Sequence, residues 1–280
     1  MNGQFRPSGF RILPPVVKNL LIINGIFFLA TIVFESAYNI RLSDYLGLHY
    51  FAAEKFAPYQ IITYMFMHGG FAHLFFNMFA LWMFGNALEN VWGGKRFLIY
   101  YLITGIGAAI IHYLIYYIEI QPELNAINYV INNPGIESLS AFFSKYKILL
   151  QDQSGPFYQS FLEFEQSFIQ LQSQPANRLL LQDVVNFMSE YKEYFLNLPN
   201  VVGASGAVFG ILLAFGMLFP NALIYLYFAI PIKAKWFVII YGAIELYMGF
   251  SNNPGDNVAH FAHLGGMIFG FFLIRYWKRH

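Results

Sequence analysis

Two residues that could act as a nucleophile and its base lie at the starts of two apolar segments near the carboxyl end of the chain. Ser205 lies in the motif GASGA (203–207), and His263 lies in the motif HFAHLGG (260–266). A serine hydroxyl is a poor nucleophile at neutral pH and needs an adjacent base to take its proton. Polar and ionisable groups are costly in hydrocarbon, so those found there are candidates for function. The pair predicts peptide-bond hydrolysis in a membrane.

The composition indicates lipid as the solvent. Of the 280 residues, 58% are hydrophobic and only 11% are charged, whereas a soluble domain is nearer half apolar and a quarter charged. The formal net charge of +1 and the lack of a basic, aromatic-interleaved patch argue against a nucleic-acid partner. With no cysteine in the chain, a disulfide framework, a thiolate nucleophile and a thiolate metal site are all excluded.

Six segments are apolar and long enough to span about 30 Å of hydrocarbon if some are short or tilted. The predicted spans are 19–38, 70–90, 96–118, 203–219, 236–251 and 259–277. If they alternate in direction, the short loops on one side hold only Arg41 and Lys55, and most other flanking basic residues lie on the opposite side. The positive-inside rule then predicts that both termini are cytoplasmic. His73, Ser205 and His263 would share one depth near the outer boundary.

The expected fold is therefore an all-α membrane protein, a six-helix transmembrane bundle with one polar insertion. We divide the chain into a cytoplasmic amino-terminal segment, spans one to three, an extracytoplasmic insertion, spans four to six and a short cytoplasmic tail. Their ranges are 1–18, 19–118, 119–200, 201–277 and 278–280. The amino terminus is interpreted as a retained signal anchor.

The insertion contains two amphipathic patterns. Aromatic and aliphatic residues recur at helical spacing from Phe157 to Leu171 and again from Val184 to Leu198, which favours two helices. They could form a small cap that packs on itself, or they could lie in the membrane interface. None of their residues is predicted to be catalytic.

Small residues give His263 a reason to approach Ser205. Ala262, Gly266 and Gly270 recur every four residues, which allows close helix contact, and Gly206 and Gly210 of span four offer a matching groove. Packing alone could also explain the glycines and the serine.

A carboxylate that could orient His263 is not expected, because Asp256 belongs to the loop before the span. The sequence thus predicts a dyad. His260, three residues earlier on the same face, is predicted to be a supporting rim residue and is the one alternative base.

A metal site is the rival interpretation of the histidines. The pair His260 and His263 has the spacing of zinc ligands, but the sequence lacks a His-Glu-x-x-His helix, a cysteine and an evident carboxylate ligand. No metal and no cofactor are therefore expected.

Three motifs together resemble the rhomboid family of intramembrane serine proteases. They are HLFFN (73–77), GASGA (203–207), and AH (262–263) followed by Gly266 and Gly270. The resemblance implies a water-filled cavity open to the outside and cleavage of single-span, membrane-anchored proteins at or near the boundaries of their transmembrane segments.

The resemblance also implies roles for further residues. His73 and Asn77, four apart on one helix face, would form the oxyanion hole with the Ser205 amide, and we group Gly203 with them. Asn77 could otherwise make an interhelical hydrogen bond, and His73 could be an interfacial histidine. Phe209 stands where the family has a tyrosine that stacks on the base.

The first outer loop departs from the family pattern, whereas the end of span two resembles it. Tyr59 and Gln60 replace a Trp-Arg pair in the first outer loop, which removes a charge-assisted hydrogen bond. Glu89, at the cytoplasmic end of span two, is predicted to be structural.

Two other functions stay open. One is an inactive rhomboid-like protein that binds membrane clients, although such proteins usually lack the serine or the histidine. The other is a transporter, which should show internal repeats and polar groups at the midplane. The expected location is the bacterial inner membrane.

Overall fold

The computed structural model describes residues 11–150, 153, 155–198, 200–226, 229–251 and 259–279, and these are predominantly helical. The helices are α1 (Pro15–Tyr38), α2 (Ser43–Leu46), α3 (Gln60–Thr63), α4 (Phe71–Ala80), α5 (Asn86–Trp92), α6 (Gly94–Asn132), α7 (Ile136–Phe143), α8 (Pro156–Ser173), α9 (Arg178–Asn197), α10 (Ser205–Leu218), α11 (Ala234–Ser251) and α12 (His260–Arg279). The strands are β1 (Leu48–His49), β2 (Asn200–Val201), β3 (Leu223–Leu226) and β4 (Ile230–Lys233).

All six predicted spans coincide with helices, although the boundaries differ. Within the described residues, three helices are long and apolar enough to cross a membrane: Pro15–Tyr38, Phe71–Trp92 and Gly94–Asn132. The second of these joins α4 to α5 through a π-helical turn at Leu81–Gly85. The third continues 14 residues beyond the predicted end at 118. The fourth predicted span, α10, is a shorter apolar helix.

The start of α1 is fixed by a buried carboxylate from α5. Pro14 and Pro15 suit the first turn, where backbone amides have no partner within the helix. Glu89 Oε1 accepts a hydrogen bond from the Val16 amide at 2.9 Å, and Oε2 accepts one from the Val17 amide at 2.7 Å. A carboxylate at a helix amino terminus also complements the helix dipole. Glu89 therefore has a structural role at the end of the bundle where α1 begins.

The contact between α10 and α12 depends on glycine. A Cβ atom on Gly266 would overlap the backbone carbonyl of Gly206, so the two helices touch backbone to backbone at this point. This is the close approach that the spacing of small residues predicts.

The other two glycines of these helices accommodate side chains of α6. Gly270 faces the Tyr100 hydroxyl, and Gly210 faces Thr104, so both meet α6 and not each other. Tyr100 Oη donates a hydrogen bond to the Gly210 carbonyl at 2.8 Å. A large buried tyrosine of α6 therefore lies beside both of these glycines.

Helix α11 packs against both of these helices. It follows an antiparallel hairpin in which Leu223 pairs with Lys233 and Leu226 pairs with Ile230. Gly216 of α10 lies against Val238, and Gly249 lies against the Phe261 ring of α12. These contacts bring the carboxyl-terminal half of α11 beside the start of α12. Asp256 lies outside the described residues.

The chain folds into two compact units. The first comprises 1–48, 57–113 and 200–280, and it contains α10, α11 and α12. The second comprises 49–56 and 114–199. In the second unit, α8 and α9 form at the two amphipathic patterns and pack on each other through aromatic rings. Phe164 stacks on Phe187 at 4.1 Å between centroids, and Phe157 stacks on Tyr194 at 3.9 Å.

Candidate active site

Ser205 is the first residue of α10, and the turn before it requires glycine. Gly203 has φ +126°, a region that side-chain-bearing residues rarely adopt, and its amide donates a hydrogen bond to the Tyr64 carbonyl at 2.9 Å. A Cβ atom at this position would also come within 2.7 Å of His73 Nε2. The amides that open α10 lack acceptors within the helix, so they could stabilise an anion formed beside Ser205.

The structure brings His263 to Ser205. His263 lies in the first turn of α12, and its Nε2 is 2.9 Å from Ser205 Oγ. Gly266 lies about one helical turn after His263 in α12. Its contact with Gly206 holds the two helices at the separation that this hydrogen bond needs. A distance of 2.9 Å is within the reach required of a general base.

Phe209 lies under the base, where the resemblance places it. Its ring is stacked on the His263 imidazole, with centroids 4.3 Å apart and planes inclined by 6°. Phe209 is one helical turn after Ser205, so α10 supplies both the nucleophile and a flat apolar surface for the imidazole. Tyr241 of α11 contacts the Phe209 ring at 5.6 Å.

The expectation that no carboxylate orients His263 is wrong. Glu245 of α11 places Oε2 2.8 Å from His263 Nδ1. An ionised carboxylate only accepts hydrogen bonds, so Nδ1 carries the proton and Nε2 keeps its lone pair toward Ser205. The three groups therefore have the connectivity of a serine–histidine–acid triad.

Glu245 was missed because the sequence argument considered only carboxylates close to His263 in the chain. It precedes His263 by 18 residues and reaches it because α11 and α12 are neighbouring helices. A usable signal was present, since Glu245 is the one acidic residue in the predicted span 236–251. An ionisable residue in such a segment is a functional candidate by default.

His260 shares the carboxylate with His263. Its Nδ1 lies 2.7 Å from the same Oε2 atom, and the two imidazole rings are 6.2 Å apart, nearly perpendicular. Ser205 is within hydrogen-bond distance of His263, which makes His263 the better placed base. His260 supports the site by bonding the carboxylate that orients that base.

His73 and Asn77 both lie on α4, and their side chains have different neighbours. The His73 ring approaches Gly203, and the neighbouring His68 ring lies 5.1 Å from it. Asn77 Nδ2 donates instead to the His73 carbonyl, at 3.0 Å, within its own helix. The structure thus brings His73 to the turn before Ser205, while the Asn77 amide is occupied by the backbone.

The first outer loop is held by a neutral side chain where the family has arginine. Gln60 is buried, and its Nε2 donates to the Tyr45 carbonyl at 3.1 Å while its Oε1 accepts from the Ala57 amide at 3.1 Å. The first hydrogen bond links α3 to α2 and the second fixes the turn that leads into α3, so the loop has an alternative to the lost charge-assisted bond.

Glu245, His260 and His263 are also the side chains that could hold a metal ion. One ligand-type atom from each lies within 4.8 Å of the others. The sequence predicts no metal partly because it lacks an evident carboxylate ligand. Glu245 is such a carboxylate, so that reason no longer holds.

The apolar helices and the contact between a serine and a base define an all-α integral membrane protein with a hydrolase-like site. The Rhomboid domain matches residues 55–118 and 178–279, which is more than half of the chain. The chain therefore belongs to the rhomboid family, whose members include intramembrane proteases.

Known relatives agree with this assignment. The chain is 44% identical to rhomboid protease GluP of Bacillus subtilis (strain 168) over 52 residues, which are 19% of this chain and 10% of that protein. It is 42% identical to the putative rhomboid protease YdcA of the same organism over 48 residues, 17% of this chain and 24% of that protein. It is 31% identical to Rhomboid-like protein 11, chloroplastic, of Arabidopsis thaliana over 102 residues, 33% and 34% of the two chains. The chain spans about a third or less of each relative.

Proposed function

We propose that this protein is an intramembrane serine endopeptidase that cleaves single-span membrane proteins at or near their transmembrane segments. The observation that carries the proposal is the 2.9 Å contact between Ser205 Oγ and His263 Nε2, with Glu245 on the other side of the imidazole. Family membership supports proteolysis as the type of reaction.

In the proposed reaction Ser205 Oγ attacks the carbonyl carbon of the scissile bond as its proton passes to His263 Nε2. The imidazolium that forms is stabilised by Glu245, and the oxyanion faces the amides that open α10 and the nearby His73 ring. His263 then gives the proton to the leaving amine, and the C–N bond breaks to leave an acyl-enzyme. Water, deprotonated by His263, hydrolyses the ester and restores the Ser205 hydroxyl.

The topology proposed for this function follows the charge pattern. Six spans place both termini in the cytoplasm and open the site outward, with 119–200 as an extracytoplasmic insertion in a bacterial inner membrane. Basic residues at the end of α12, Lys278 and Arg279, support a cytoplasmic carboxyl terminus.

The test is cleavage of a model single-span substrate in proteoliposomes, together with labelling by a serine-directed fluorophosphonate. Wild type should cleave and label, whereas Ser205→Ala and His263→Ala should do neither. Ser36→Ala is the matched control, because its hydroxyl is exposed on α1 and bonds only within its own helix. Cleavage by Ser205→Ala at the wild-type rate would rule out the serine mechanism. Substrate capture without cleavage by wild type would indicate an inactive client-binding protein.

A further inference from the structure

Three buried ligand-type atoms converge beside Ser205. Oε2 of Glu245 is 2.7 Å from His260 Nδ1 and 2.8 Å from His263 Nδ1, and one ligand-type atom from each of the three residues lies within 4.8 Å of the other two. The exposed fractions of these residues are 6%, 7% and 8%. Only His263 acts as the base of the triad, and the second imidazole, which supports the carboxylate, also completes a group of three ligand-type side chains.

The set has the composition of a transition-metal site. Two imidazole nitrogens and one carboxylate oxygen are the protein ligands of zinc sites that keep a fourth position open. Nitrogen ligands disfavour Mg²⁺ and Ca²⁺, which take oxygen ligands. The carboxylate supplies one negative charge and each neutral imidazole supplies one nitrogen lone pair, which together suit a divalent cation.

The spacing is close to that of a coordinated ion. Zinc binds nitrogen and oxygen at about 2.0–2.2 Å, so two ligand atoms in a tetrahedral site are about 3.3 Å apart. The observed 2.7 and 2.8 Å distances must therefore widen by about half an ångström, and the remaining separation, which is bounded by 4.8 Å, must come to about the same 3.3 Å through rotation of the side chains.

We propose that Glu245, His260 and His263 form an inhibitory zinc site. The proposal rests on the proposed function, because it concerns control of the same base. A zinc ion bound to His263 Nδ1 takes the lone pair of that nitrogen, and the proton that Nδ1 carried moves to Nε2. His263 stays neutral overall, but Nε2 then has a hydrogen in place of a lone pair. Such an imidazole cannot take the proton of Ser205, so the nucleophile stays inactive until the ion leaves.

The same coordination withdraws Glu245 from its role. Oε2 then bonds to the ion and no longer accepts the Nδ1 proton that fixes the catalytic tautomer. His260 Nδ1 likewise exchanges its proton for the metal, and its own proton moves to the other ring nitrogen. No electron is transferred, and chelation of the ion restores the starting state.

The experiment titrates Zn²⁺ into the untagged full chain in detergent, with activity and bound metal measured in parallel. We expect wild type to lose all activity as one zinc binds per chain, to regain it with EDTA, and to be unaffected by equal concentrations of Mg²⁺ or Ca²⁺. Ser205→Ala should bind one zinc as tightly as wild type. His260→Ala should need at least about tenfold more zinc for half-inhibition relative to its own zinc-free rate. His112→Ala is the control for loss of a histidine elsewhere.

The outcomes separate this proposal from the proposed function. Zinc-insensitive activity with no bound metal would overturn the site, as would equal zinc sensitivity in wild type and His260→Ala. Activity that requires zinc would also overturn the inhibitory site. If that zinc-dependent activity persisted in Ser205→Ala, the serine mechanism would be overturned as well. If wild type never cleaves but binds one zinc that His260→Ala loses, the metal site stands and the proposed function fails.

Discussion

The substitution Glu245→Gln isolates the negative charge that faces the base. In the native site a single oxygen, Oε2, accepts hydrogen bonds from both His260 and His263. The carbonyl oxygen of glutamine can accept the same two bonds in the same place. The variant therefore keeps the shape of the site and the orientation of the base, and it removes only the charge that stabilises the imidazolium.

The cost can be worked from the geometry. With Oε2 2.8 Å from Nδ1, the centres of the two charges lie about 4 Å apart, and at an effective dielectric of about 20 their attraction is about 4 kcal/mol. At about 1.4 kcal/mol per factor of ten, kcat should fall about a thousandfold. In bulk water the same pair would be worth about 1 kcal/mol, less than a tenfold effect. If the amide turned so that its NH₂ group faced Nδ1, it would hold the wrong tautomer, and the loss would approach about 10⁴-fold.

The assay is steady-state cleavage of a single-span substrate in proteoliposomes, with kcat and KM measured separately. A charge that acts only on the imidazolium lowers kcat and leaves KM unchanged, since substrate binding does not protonate His263. Glu245→Asp should recover part of kcat, because the charge returns at a longer distance. Glu245→Ala should be the slowest, because both the charge and the acceptor that fixes the tautomer are lost.

Glu89→Gln is the matched control. Glu89 is also a buried glutamate that accepts two hydrogen bonds, but its donors are the Val16 and Val17 amides at the start of α1. Its loss should lower the free energy of unfolding by about 1–3 kcal/mol and leave kcat per folded molecule unchanged. A Glu245→Gln enzyme within tenfold of the wild-type kcat, or one whose loss matches that of Glu89→Gln, would refute the role assigned to Glu245.

Three further predictions test the packing around the site. Phe209→Leu should lower kcat about fivefold by removing a ring stack worth about 1 kcal/mol, with wild-type KM in the same assay. Gly266→Ala should destabilise the protein by about 1–3 kcal/mol in thermal unfolding and abolish activity, because its Cβ overlaps the α10 backbone. Gly25→Ala, where nothing lies within 4 Å, is its control and should be neutral or stabilising. Burial lowers the pKa of His68 to about 4 from the ordinary 6.5, so acidification from 6.5 toward 4 should destabilise wild type more than His68→Gln. An unfolding midpoint with equal pH dependence in both would contradict it.

The helices were predictable because membrane spans are defined by length and hydrophobicity alone. The segments that became α1, α10 and α12 were placed to within a few residues. The far end of α6 was not, because that helix continues past the apolar run into polar sequence and through Pro122, a residue that usually ends or kinks a helix, and stops only at Asn132. Hydrophobicity marks where a chain can enter lipid, but it does not mark where backbone hydrogen bonding stops.

Helix partners were harder to predict than helices. Small residues show that a face can approach another helix, but they do not say which one. Gly266 met Gly206 as expected, whereas Gly210 and Gly270 turned out to accommodate Thr104 and Tyr100 of α6. The spacing of glycines is the same in both cases, so only the three-dimensional arrangement distinguishes them.

The site shows the same limit for polar groups. Ser205 and His263 were recognisable because each lies in a short motif, but Glu245 lies in no motif and acts only through helix packing. A carboxylate in an apolar helix is expensive unless hydrogen bonds offset its desolvation. The two bonds from His260 and His263 supply that offset. The second histidine is then part of the reason why a charged acid can persist beside the base. Glu245, His260 and His263 therefore form one hydrogen-bonded unit. Substitution of any one of them should change the hydrogen bonding of the other two.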